Sequence, residues 1–106
     1  MYAVNTRFRF RTAVSDSFRQ AIEQVVRDQL ARAPGFRCFY AVAVSDRELV
    51  TFHVWENQAA AQQGLHLVGD WISEHLEPGL KTAIERRSGE IVICLAEARN
   101  DQRSAS

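Results

Sequence analysis

The stretch Pro34–Ala61, PGFRCFYAVAVSDRELVTFHVWENQAAA, decides the fold. Phe36–Val44 and Leu49–Trp55 are runs of aromatic and β-branched residues with few polar breaks, which is the composition of strands. Between them, Ser45-Asp46-Arg47-Glu48 is a short polar loop of the kind that joins antiparallel strands. Pro34-Gly35 stops the preceding helix, because proline lacks the amide donor and glycine accepts the left-handed conformation. Asn57 is a good N-cap, and Gln58 with Ala59–Ala61 begins a helix. Cys38, Tyr40, Val42 and Val44 alternate with Phe39, Ala41 and Ala43; Val50, Phe52 and Val54 alternate with Leu49, Thr51, His53 and Trp55. A hairpin with water on one side alternates apolar with polar residues. This one predicts packing on both faces.

Upstream, Tyr2–Phe10 alternates as a first strand, with Tyr2, Val4, Thr6, Phe8 and Phe10 on one face and Ala3, Asn5, Arg7 and Arg9 on the other. Ser15, Asp16 and Ser17 compete as N-caps for a helix to about Ala33, and Ser17 with Gln20 has capping-box spacing. Phe18, Ile22, Val25, Val26 and Leu30 form its apolar stripe, while Glu23/Arg27 and Asp28/Arg32 are opposite-charge pairs on the solvent side. Downstream, Asn57–His66 reads as a short helix loosened at Gly64. Asp70 can cap Trp71–Leu76, and Pro78 suits the first turn of a last helix through Arg87. Ser88-Gly89 ends that region, and Glu90–Ala98 reads as a fourth strand. Residues 1–98 form one domain and 99–106 a flexible polar tail.

The order β-α-β-β-α-β predicts an α+β, ferredoxin-like antiparallel sheet with helices on one face. The uncovered face, expected to carry Tyr2, Val4, Phe8 and Phe10, is too apolar to stay wet. A homodimer formed through that open sheet face follows.

Thirteen basic and thirteen acidic residues cancel, so no net field recruits nucleic acid or an anionic membrane. No segment is long and apolar enough for a membrane span, and arginines interrupt the N-terminal apolar residues, so no signal peptide is expected. Cys38 and Cys94 are isolated within strand-like runs and read as buried free thiols of a cytoplasmic protein. The histidines and cysteines show no metal-ligand spacing.

Pro34-Gly35-Phe36 after the first helix, Val54-Trp55-Glu56 closing the third strand and the alanine-rich helix start directly after it resemble the antibiotic biosynthesis monooxygenase-like family of dimeric α+β barrels. The likeness covers about Tyr2–Leu95. It implies a dimer with a cavity between sheet and helices, and a cofactor-independent monooxygenase of a small aromatic, quinol-like or polyketide-like ligand. Alternatives within the fold are a non-catalytic ligand-binding module and a haem-degrading oxygenase.

On that resemblance Asn5 is a candidate for hydrogen-bonding a ligand or bound oxygen; otherwise it is a strand asparagine satisfied by backbone or water. His53 is a candidate base for a phenolic proton, with Tyr40 and Trp55 around a planar substrate; the alternative is a core histidine. His75 and Trp71 are expected to line the pocket, and His75 stands one residue from the haem-ligating position of the haem-degrading branch. The tryptophan that branch carries earlier in the helix is replaced here by Gly64. Arg7, in the Arg7/Arg9/Arg11 ladder, is a candidate for a substrate carboxylate, or a partner for acids such as Glu97.

Overall fold

A computed structural model describes residues 1–95. Strand β1 (Tyr2–Arg9) leads to helix α1 (Asp16–Val25), which continues through a wider π-helical turn at Val26–Leu30. Strands β2 (Phe36–Ser45) and β3 (Glu48–Trp55) form the hairpin. Helix α2 (Gln58–Trp71) runs on through a π-helical turn, Ile72–Leu76, and a 3₁₀ turn, Glu77–Gly79, before β4 (Glu85–Glu90). The sheet order is β2-β3-β1-β4, antiparallel throughout, the α+β ferredoxin-like arrangement.

The punctuation follows local chemistry. Of the competing caps Ser15 prevails, its hydroxyl accepting from the Phe18 amide at 3.1 Å, and Asn57 Oδ1 accepts from the Ala60 amide at 2.9 Å. Gly35 takes φ +82°, a conformation that only glycine adopts without strain. Its carbonyl accepts from the Glu56 amide, tying the turn to the end of β3.

Val4, Thr6 and Phe8 of β1 and Leu49, Thr51, His53 and Trp55 of β3 are buried beneath the helices. The core divides into two clusters. Val4, Leu30, Ala33, Trp55, Ala61 and Val68 pack at one end, and Phe8, Phe10, Leu49, Leu76 and Leu80 at the other. Between them the sheet contributes Thr6, paired with Thr51, and His53.

Several expectations change. The first-strand face carrying Val4, Phe8 and Phe10 lies against the helices, and the uncovered face carries Ala3, Asn5, Arg7 and Arg9. Apolar exposure there comes instead from Tyr40, Val42, Val44 and Phe52 of the hairpin. Helix α2 passes unbroken through Gly64 and Asp70, because Trp55 packs on the bare Gly64 backbone and anchors it. No helix runs from Pro78 to Arg87; the fourth strand is Glu85–Glu90, entirely polar, pairing with β1 from Arg7↔Glu85 to Tyr2↔Glu90. Of the expected Glu90–Ala98 strand, only Glu90 belongs to β4. Val92, Ile93 and Leu95 are exposed beyond the sheet, and Ala96–Ala98, Glu97 and the tail lie outside the described residues. The cysteines are free but not buried: Cys38 is half-buried and Cys94 exposed.

Candidate functional site

Two adjoining spaces separate sheet from helices. An open groove of about 540 Å³ runs between α1 and β2, floored by Phe39, Ala41 and Leu49 and rimmed by Arg19, Glu23 and Arg27. A smaller pocket of about 60 Å³ lies deeper, between the two core clusters. Ile22, Val26 and Phe39 border both, so the groove opens toward the pocket. The helices line this inner pocket with apolar side chains; its polar groups are Thr6, Thr51, His53 and Arg86 from the sheet.

His53 is 4% exposed. The Trp55 indole N–H donates to His53 Nδ1 at 2.6 Å. An indole nitrogen is only a donor, so Nδ1 must present its lone pair, and the proton of the neutral ring resides on Nε2. Burial and then the positive charge of Arg86 lower the pKa from its ordinary value of 6.5 to about 4. The ring is therefore neutral at pH 7, with Nδ1 occupied and an N–H on Nε2. Phe39 stacks beside it, centroids 6.1 Å apart. Arg86 Nε donates to Thr6 Oγ1 at 3.3 Å, which holds the guanidinium at the pocket.

Trp55 is fully buried, edge-on to both Phe36 and His53. A Cβ added at Gly64 would collide with its ring. The indole thus occupies the slot that a helix side chain would fill.

The sequence candidates separate. His53 and Trp71 border the inner pocket, with Trp55 behind His53. Asn5 and Tyr40 lie on the opposite sheet face, in a shallow depression with Phe52 and Arg87. Arg7 is on that face too, in a network where Arg7 and Arg9 each meet Glu48 and Glu85, the shortest contact being Arg7–Glu48 at 3.1 Å. His75 is exposed, stacks on Trp71 at 4.9 Å and borders a separate hollow with Phe10, Thr12 and Phe18. It presents no ligand to the inner pocket, so the residues there do not fit a haem held by His75. Among the described residues no cluster of His, Cys, Asp or Glu could hold a metal ion.

Sequence reasoning missed Thr6, Thr51 and Arg86 as pocket residues. A mid-strand threonine within an apolar face, in both β1 and β3, was the available signal for the first two. Arg86 gave none, since its segment read as helix.

The profile of the antibiotic biosynthesis monooxygenase family matches residues 1–66, from β1 into α2. The chain belongs to the antibiotic biosynthesis monooxygenase family. The matched portion contains His53 and Trp55 and stops before Trp71 and Arg86. SnoaB from Streptomyces nogalater, a cofactor-independent oxygenase, superposes with a TM-score of 0.70 at 19% identity, covering 91% of this chain and 97% of that one. The monooxygenase ActVA-Orf6 of Streptomyces coelicolor, solved with Nanaomycin D, gives 0.68 at 17% identity and 92% of each chain. A dimeric ferredoxin-like protein from an uncultured marine organism gives 0.71 at 12% identity and 92% of each. Such identities show a shared fold. No protein of curated function matches this sequence.

Proposed function

We propose that this family member is a cofactor-independent monooxygenase of a small aromatic, quinol-like or polyketide-like molecule. The ring lies in the α1–β2 groove with its reacting edge toward His53. The observation that carries the reading is the buried, neutral His53 at the inner end of an apolar space open to solvent at its other end. Such a space, apolar with a few convergent polar groups, is the usual form of a small-ligand site.

The chemistry needs an electron-rich substrate. Loss of a proton from an anthrone or quinol gives an anion that transfers an electron to dioxygen. Recombination retains one oxygen atom at the ring carbon and releases the other as water, so that an anthrone's methylene becomes a carbonyl and a quinol becomes a ring-hydroxylated quinone. His53 was expected to take that proton, but its Nδ1 already accepts from Trp55, and Nε2 carries a proton. The resting ring is a donor to the substrate oxygen and does not act as the base. Asn5, on the far side of the sheet, takes no part in this pocket; with Arg7 and Tyr40 it belongs to the surface that a second copy covers. The exposed Tyr40, Val42, Val44 and Phe52 support that homodimer, and the free cysteines are in keeping with a cytoplasmic location.

A second reading, ligand binding without turnover, is favoured by one observation: among the described residues, no carboxylate borders the inner pocket to serve as a base. Oxygen uptake with a panel of hydroquinones and anthrones separates the two. The oxygenase reading expects substrate-dependent uptake and a loss on the order of 100-fold in kcat/KM for His53→Leu, which removes the donor to the substrate oxygen. Binding without uptake supports the second reading, and undiminished turnover by the variant removes His53 from the mechanism.

A further inference from the structure

We infer that the inner pocket recognises its ligand as an oxyanion, with Trp55 as the positioning residue that fixes His53 as a hydrogen-bond donor toward it. The inference rests on the ligand site proposed above and specifies which form of the ligand the site takes.

The arrangement starts at Gly64. Without a Cβ there, the Trp55 ring lies against α2, and its N–H falls 2.6 Å from His53 Nδ1. That contact leaves the imidazole one neutral form, with hydrogen on Nε2. The groups around His53 come from every packed element. From α1 and its π-helical extension the neighbours are apolar, as they are from α2; β1 and β3 add the threonine hydroxyls, β2 adds Phe39, and β4 adds Arg86. Among the described residues, Arg86 is the sole charged group lining the inner pocket. Arg19, Glu23 and Arg27 stand farther out along the groove, where Glu23 is already paired with Arg27.

An isolated anion in such apolar surroundings is costly, and a nearby cation with an oriented N–H reverses that balance. A positive guanidinium beside a locked N–H discriminates for a phenolate or enolate over the neutral phenol, because the added charge strengthens both contacts. The ligand class is therefore a planar aromatic molecule with one ionisable oxygen. Its proton passes to solvent on entry, so the site needs no internal base.

The probe is 4-nitrophenol, whose ionisation is read directly by absorbance. Bound to the wild-type protein, its apparent pKa falls by about one unit or more, equivalent to at least about tenfold tighter binding of the phenolate. The ¹⁵N NMR spectrum of His53 shows hydrogen on Nε2. In Trp55→Phe the ring nitrogens report a mixture of tautomers and the pKa depression shrinks. Arg86→Gln, at an exposed strand position, reduces the depression while leaving the tautomer and the fold intact. It keeps the test decisive should Trp55→Phe fail to fold. A bound pKa that stays or rises, no binding at millimolar ligand, or hydrogen on Nδ1 in the wild type would overturn the inference. Depression of the pKa without oxygen uptake would retain it and remove only the oxygenase reading.

Discussion

Gly64 and Trp55 form one unit although they come from a helix and a strand. A glycine inside a helix costs about 1 kcal/mol relative to alanine, and here that cost is offset because the Trp55 ring fills the vacated space. Gly64→Ala should therefore destabilise the protein by about 2–3 kcal/mol, since the indole is fully buried and cannot swing aside. Gly69 is the internal control: nothing lies within 4 Å of a Cβ added there. Gly69→Ala should be stabilising by roughly 0.5–1 kcal/mol. Urea unfolding of both variants, far-UV circular dichroism serving as the probe, reads the contrast; equal shifts in midpoint would refute the close Trp55 contact.

At the scale of elements, the hairpin, its flanking turn and the Asn57 cap were legible because each is local chemistry, whereas the first helix's cap was narrowed only to Ser15, Asp16 or Ser17, and the structure selects Ser15. Strand β4 was not legible. Its sequence Glu85–Glu90 is polar on both faces, as suits an exposed edge that must not pair with strangers, and hydrophobic periodicity has nothing there to register. The apolar residues after it resembled a strand more than the strand itself did. Tyr2–Phe10 shows a different limit. Alternation separates two sets of side chains but does not say which set meets the helices, and the more apolar set went inward. That single choice of side moved Asn5 away from His53. Continuity of α2 was likewise hidden, since glycines weaken the helical signal while the tertiary contact at Gly64 overrides it.

The whole molecule is a single-layer sheet with helices on one side and an uncovered hairpin face on the other. The exposed Tyr40, Val42, Val44 and Phe52 there are contiguous by register, Tyr40 opposite Phe52 and Val42 opposite Val50. A second copy stacked on this face would bury them, and sedimentation equilibrium at micromolar protein should give about twice the 12.0 kDa chain mass. Phe52→Glu should shift the population toward monomer; a wild-type monomer that keeps its fold would contradict the interface. The two faces then divide the labour. On the proposed reading, the hairpin face assembles the protein, and the helix-covered face, where the Trp55 N–H meets His53 Nδ1, receives the ligand. The most direct test is a crystal structure with a hydroxyanthraquinone that does not turn over. The account predicts its ring in the α1–β2 groove with an oxygen within hydrogen-bond distance of His53 Nε2, and a ring seated beside Asn5 and Tyr40 on the opposite face would contradict it.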